Sequence, residues 1–440
     1  MLKIDKSAVY FLIAAAAFQC LCASGAPIRE DEAYLYLKSV SASWTMLPFS
    51  GLGELITGFA AFTDESSFAL RIPSIVFASL GAAFIFMQSQ AVSGKFAAWI
   101  SMVSFLIIPA VNYAFVSVTP AGALIFFASL SLFCWNKGFN EKNVKYYIAA
   151  AFSASLAFFT DISGAVFIII PIIYSFFKRE LLREKYFIFS VAACVLFAAI
   201  LTALHFAGYF TLFNKYPAAF TPKNYLAVSF VLSVLPALYV LFIAVIKKSD
   251  TGDKFLFYKA AFFVSVIAAA ILTIFTDIDI RCLAALMVPA AILFGCFFEI
   301  YGYKIFAGFI MAVTAAVSVY SNINDSSNII PNYLKGKRIY EALKFPMEGS
   351  LYAGSALYAK DAGLASVLAF NMAVHPEACT VRYCSKSDGV FVSEEKNDTL
   401  TDFFENVTES GVYRLSDIKD GRLIFHFYNV SGLKKEKNDR

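Results

Sequence analysis

The sequence predicts an all-α polytopic membrane protein of about eleven transmembrane helices, followed by a small C-terminal α+β domain outside the bilayer. Three observations predict it. Of 440 residues, 59% are hydrophobic and 15% charged, where soluble domains are about 45–50% apolar and 25% charged. Mean hydropathy is +0.68. Apolar stretches of spanning length recur as far as residue 321, and beyond it polarity, proline and glycine return with short alternating segments. Aromatics at 17%, from 48 Phe and 23 Tyr, suit lipid-facing helices with interfacial belts. A net charge of +4 is too small and too scattered to imply nucleic acid, so no such partner is expected.

A spanning helix needs about 20 mainly apolar residues. Such stretches lie near 8–26, 69–90, 94–110, 117–134, 144–160, 162–177, 186–208, 224–246, 255–275, 281–299 and 303–320. Short cytoplasmic loops accumulate Lys and Arg, which gives an independent reading of direction. With Met1 in the cytoplasm, the inner loops hold Lys3, Lys6, Lys95, Lys137, Lys142, Lys145, Lys178, Arg179, Arg183, Lys185, Lys247, Lys248, Lys254 and Lys304. The outer loops hold only Arg29, Lys38, Arg71, Lys215, Lys223 and Arg281. This alternation supports both the span count and an extracytoplasmic C-terminus. Lys3, Lys6 and the small residues Ala23-Ser24-Gly25-Ala26 also fit a cleaved secretory signal; losing that span would leave the first outer loop on the same side.

Two regions escape the spanning pattern. In the outer loop of about 27–67, the segments beginning at Glu32 and Gly51 read as short amphipathic helices lying in the interface. The tail, 322–440, is long enough for a small α+β domain, separate from the transmembrane module 1–321. The run Arg422-Leu-Ile-Phe-His-Phe-Tyr reads as a strand, and Asp388-Gly389 and Asp420-Gly421 as hairpin turns. Cys20, Cys22, Cys134, Cys194, Cys282 and Cys296 accompany apolar spans and read as packing residues. Cys379 and Cys384 could pair in an oxidising compartment. Four Asn-x-Ser/Thr sequons fall at Asn324, Asn397, Asn406 and Asn429.

In so uncharged a chain the informative residues are ionisable groups at span ends on one side of the membrane. Arg29-Glu30-Asp31-Glu32 follows the first span. Arg71 opens the second, Asp161 separates the fifth from the sixth, His205 nears the end of the seventh, and Asp277, Asp279 and Arg281 precede the tenth. Each has an ordinary structural reading: acids at a helix N-terminus, arginines snorkelling to headgroups, a satisfied interior histidine. Together they form an outer-face site where arginines would take an anionic lipid phosphate. No phosphate loop, dinucleotide fingerprint, His-Glu-x-x-His helix or nucleophile elbow competes with it.

These residues resemble a known family. Asp31-Glu32-Ala33-Tyr34-Leu35-Tyr36 after the first span is similar to the Asp-Glu-Ala-Tyr-Tyr segment of GT-C class glycosyltransferases, in particular the aminoarabinose lipid A transferase and protein O-mannosyltransferase-like group. Phe68-Ala-Leu-Arg71-Ile-Pro73-Ser74, Thr119-Pro120-Ala121 and Arg281-Cys-Leu-Ala-Ala-Leu-Met-Val-Pro289 resemble further family segments, in order and spacing across most of 1–320. The resemblance implies a sugar donor linked to polyprenyl phosphate, an acceptor that is lipid, glycan or protein, and inverting transfer at the outer face of a bacterial inner or plasma membrane. It implies Asp31 as base, Glu32 beside it in acceptor or metal binding, with a divalent cation as the candidate cofactor, and Arg71 and Arg281 on the donor phosphate. Arg71 has a second reading as the residue locking the loop onto span two.

The chain also departs from the pattern. Trp44-Thr-Met-Leu-Pro48-Phe keeps one proline of a family segment and lacks its charges. Ala121 stands where relatives carry an acid, and Thr160-Asp161-Ile162 where they tend to carry a base. Asp161 is therefore a candidate for the carboxylate missing at 121. Two alternatives stay open: a degenerate relative that binds a lipid-linked saccharide or a partner protein, and a transporter or flippase, for which paired broken helices in two matching halves are expected and are not evident.

Overall fold

A computed structural model describes residues 5–25, 32, 35, 36, 39, 51–63, 67–108, 111, 112, 115, 118–209, 255–275, 284–301, 311, 312, 315, 356–359, 378–380, 389–393, 400, 404–415 and 423–433. The chain divides into two compact units. One comprises Met1–Gly25, Pro48–Lys215 and Phe220–Asn324, the other Ala26–Leu47, Tyr216–Ala219 and Asp325–Arg440.

The first unit is helical. Its helices are α1 (Lys6–Gly25), α2 (Leu52–Thr63), α3 (Ser67–Ser93), α4 (Lys95–Leu106), α5 (Ala121–Glu141), α6 (Val144–Thr160), α7 (Val166–Phe177), α8 (Lys185–Phe206), α9 (Leu256–Phe275) and α10 (Val288–Tyr301), with 3-10 turns at Ile162–Ala165, Arg179–Arg183 and Ala284–Met287. Among the described residues three helices are long and apolar enough to cross a membrane, at Phe68–Ser93, Ala121–Glu141 and Lys185–Phe206, and shorter apolar helices run through the other seven. Apart from α2, which lies in the expected outer loop, these helices fall on expected apolar stretches; those near 224–246 and 303–320 lie wholly or mostly outside the described residues.

Helix ends are set by residues that satisfy the terminal amides and carbonyls. Between α5 and α6, Lys142 takes a left-handed conformation (φ 50°) and returns its N–H to the Gly138 carbonyl, a C-terminal cap. Asn143 then caps α6 by accepting from the Lys145 N–H at 3.0 Å. Gly138 lets the two helices approach, since a Cβ there would lie 3.0 Å from the Tyr147 ring. Around it Trp135, Phe139, Tyr147 and Phe187 pack edge-on or stacked, joining α5, α6 and α8.

The core is a continuous cluster drawn from α1 and α3 to α10. α3 is central, packing on α1, α2, α4, α5 and α10. Within it Gln88, fully buried, donates to the Ser129 carbonyl at 2.9 Å and accepts from the Tyr258 hydroxyl at 3.2 Å, linking α3, α5 and α9. Interhelical bonds of this kind substitute in lipid for the hydrophobic drive that water supplies elsewhere.

The second unit contains a five-stranded mixed sheet of order β2-β1-β3-β5-β4, from β1 (Ala356–Ala359), β2 (Ala378–Thr380), β3 (Gly389–Ser393), β4 (Phe404–Leu415) and β5 (Leu423–Leu433). β1 runs parallel to β2 and β3, and β5 antiparallel to β3 and β4. The strand read at 422–428 overlaps the start of β5, and Asp420-Gly421 lies outside the described residues. Alternation buries Tyr428 and Val430 with Phe391, Leu400 and Phe404, leaving the sequon residues Asn406 and Asn429 exposed. Asn324, Asn397 and Cys384 lie outside the described residues. Cys20, Cys134, Cys194 and Cys296 carry free thiols.

Candidate active site

Two of the predicted residues, Arg71 and Asp161, sit at helix ends of the first unit. Arg71, in the second turn of α3, is fully buried and donates to the Ala23 carbonyl near the end of α1 at 3.0 Å. A guanidinium cannot shed its proton, so a permanent cation is held inside the protein. The bond ties the end of α1 to α3, and one N–H of five is engaged in it.

One turn on, Ser74 donates to the Thr119 carbonyl at 3.2 Å, where the chain enters α5. Gly122 follows, and a Cβ at this position would lie 2.6 Å from the Ser74 carbonyl oxygen. This backbone contact fixes α3 against α5. Ala121 is fully buried in the same core, which explains in packing terms why a small side chain stands where the family pattern has an acid. α2 covers this corner: a Cβ on Gly53 would meet Pro120 at 2.9 Å, and the helix also touches α6.

Asp161 ends α6 in an extended conformation and caps the 3-10 turn after it. Its Oδ1 accepts from the Ser163 N–H at 2.8 Å and from the Ser163 hydroxyl at 2.7 Å, and the residue is 5% exposed. Gly164 seats the turn against α6, since a Cβ there would overlap the Ala157 carbonyl at 2.2 Å. The third 3-10 turn, Ala284–Met287, is wholly buried and packs on α5, α9 and α10, while α9 also touches the 162–165 turn. The elements that carry Arg71, Asp161 and residues 284–287 are thus joined through contacts among α3, α5, α6 and α9.

Asp31, Arg281, Asp277 and Asp279 lie outside the described residues. Glu32 is described, in the second unit, and is fully buried. His205 is partly buried near the end of α8, its ring 5.6 Å from that of Phe206. Among the described residues no group of three or more His, Cys, Asp or Glu could hold a metal ion. Ser74 and Ser163 were not singled out from sequence. Ser163 was readable, since Asp-x-Ser at the end of an apolar run is a local capping pattern; the carbonyl partner of Ser74 comes from 45 residues away.

Known proteins bear on this arrangement. Residues 53–205 match the family model described as dolichyl-phosphate-mannose-protein mannosyltransferase. No curated protein matches the sequence. Among solved structures, the crystal structure of ArnT from Cupriavidus metallidurans bound to undecaprenyl phosphate is similar at 13% identity and TM-score 0.61, over 96% of this chain and 98% of that one. The apo state of the same protein is similar at 12% identity and TM-score 0.59, over 96% and 97%. Of the segments that carry the likeness to GT-C class membrane glycosyltransferases, those at Arg71 and Thr119 fall within the family-model match over 53–205, and the fold is similar over nearly the whole chain.

Proposed function

We propose that the protein transfers a sugar from a polyprenyl-phosphate carrier to a lipid, glycan or protein acceptor at the outer face of the membrane, with inversion. The observation that carries this reading is Arg71, a permanent cation buried at the helix ends where the fold is shared with a protein crystallised on undecaprenyl phosphate. In the proposed step Asp31 removes the proton of the acceptor hydroxyl, whose oxygen attacks the anomeric carbon. The bond from that carbon to the phosphate oxygen breaks, and the electron pair leaves with the polyprenyl phosphate. Arg71 and Arg281 stabilise the charge that develops there. Glu32 orients the acceptor, and Asp161, through Ser163, shapes the adjoining turn or supplies the second acid. About eleven spans, a cytoplasmic N-terminus and an extracytoplasmic C-terminal domain complete the reading.

A donor panel tests the reaction class. The purified protein is given one sugar either on polyprenyl phosphate or on a nucleoside diphosphate. Consumption of the first with release of polyprenyl phosphate, and not of the second, is the expected outcome. Consumption of the nucleotide sugar alone would refute the donor class. The burial of Ala121 in place of an acid favours one second reading, a relative that binds the lipid-linked sugar without transferring it; binding without turnover of any donor would select it.

A further inference from the structure

The end of the first unit opposite Arg71 carries a surface that sugar transfer does not use. The chain leaves α7 at Phe177, turns through Arg179–Arg183 and enters α8 at Lys185. At three residues per turn, Leu181 and Glu184 share one stripe and Arg179 and Leu182 another. The first stripe faces the protein: Leu181 is buried, and the Glu184 carboxylate accepts from the Tyr147 hydroxyl of α6 at 2.9 Å. The second faces outward. Arg179, Arg183 and Lys185 are exposed, with Glu180 as the one acid beside them on the outside. Among the described residues none forms an ion pair with these three cations. Exposed Phe176, Phe177, Leu182 and Tyr186 surround them.

One carboxylate of the turn is thus taken inward, while three fixed positive charges point outward between apolar and aromatic side chains. We propose that this turn is a binding site for the headgroup of an anionic glycerophospholipid in the leaflet it faces. The guanidinium groups of Arg179 and Arg183 take the phosphate through forked hydrogen bonds, Lys185 adds charge, Tyr186 supplies an amphipathic ring suited to the headgroup level, and Phe177 and Leu182 offer apolar surface to the acyl chains. The occupant is a lipid rather than an acidic protein because the exposed apolar surface continues along both helices, through Ile169 of α7 and Ile188 and Phe189 of α8.

Native mass spectrometry of the full chain, released from micelles holding equal phosphatidylglycerol and phosphatidylcholine, tests this. The wild type should retain phosphatidylglycerol in excess. With each basic residue near an anionic surface worth about fivefold in binding, the variant Arg179→Gln/Arg183→Gln/Lys185→Gln should lose at least ~10-fold of that preference. Arg179→Lys/Arg183→Lys, which keeps the charge, should retain most of it, and guards against a loss caused by misfolding. Lys6→Gln/Lys95→Gln/Lys145→Gln, elsewhere on the chain, should retain all of it. An unchanged preference in the first triple variant, or an equal fall in the last, would overturn the site.

Discussion

Gly122 and Gly164 act through the side chain they lack. At each, a methyl group would meet backbone of a neighbouring segment at 2.6 and 2.2 Å respectively, and backbone cannot swing aside as a flexible side chain does. Gly122→Ala is therefore expected to lower stability by about 1–3 kcal/mol, the usual result of overpacking, read as a fall in thermal midpoint in detergent. Asp161 separates two roles by chemistry. Asparagine keeps an oxygen able to accept both Ser163 bonds but cannot take a proton as a carboxylate does. If Asp161 only caps the turn, Asp161→Asn should transfer sugar at nearly the wild-type rate while Asp161→Ala loses about 1 kcal/mol of stability. If it supplies the second acid, both variants should fall together in kcat.

At the scale of elements, the join between α1 and the α3–α4 connection rests on Asp5 and Lys95, which form an ion pair. Lys95 is the main cause that holds the Asp5 carboxyl down to about 2 from its ordinary 3.8, aided by Ser7. A depressed carboxyl stabilises the fold above its unfolded value and loses that contribution as pH falls toward the folded one. Both groups reach solvent, so the effect is small and screened by salt. Any difference in thermal midpoint between wild type and Lys95→Met should shrink from pH 5 to pH 2 and in high salt; a difference that grows on acidification would exclude the pair as its source.

This pair also shows how much of the helical layout was legible in the sequence. The long apolar runs at 69–90, 117–134 and 186–208 became α3, α5 and α8 because the bilayer leaves a spanning backbone few choices other than helix. The pairing of Lys95 with Asp5 was not legible, because it closes across about 90 residues. The broken path at Asp161 was visible as an acid in an apolar stretch, while its cap through Ser163 depended on local geometry. Arg71 was visible as a charge at a span end, yet its engagement with Ala23 was not, because that bond closes across 48 residues. Nor was the burial of Ala121, since a small residue reads alike on a lipid face and in a helix crossing.

For the whole molecule, the proposed topology places the sheet of the tail beyond the membrane, on the side where the sugar is transferred. A reporter enzyme active only outside the cytoplasm, fused after Arg440, should be active, and the same reporter placed in the 178–185 connection should be silent. The reverse pattern would invert the reading of every charged loop. In the proposed reaction a carboxylate of the first outer loop drives attack on a lipid-linked sugar. Its most direct test is single-turnover transfer from a polyprenyl-phosphate sugar by wild type and by Asp31→Asn, at saturating donor. A loss of about 100-fold or more in the rate of transfer is expected, with donor binding retained. Equal rates for the two proteins would contradict it.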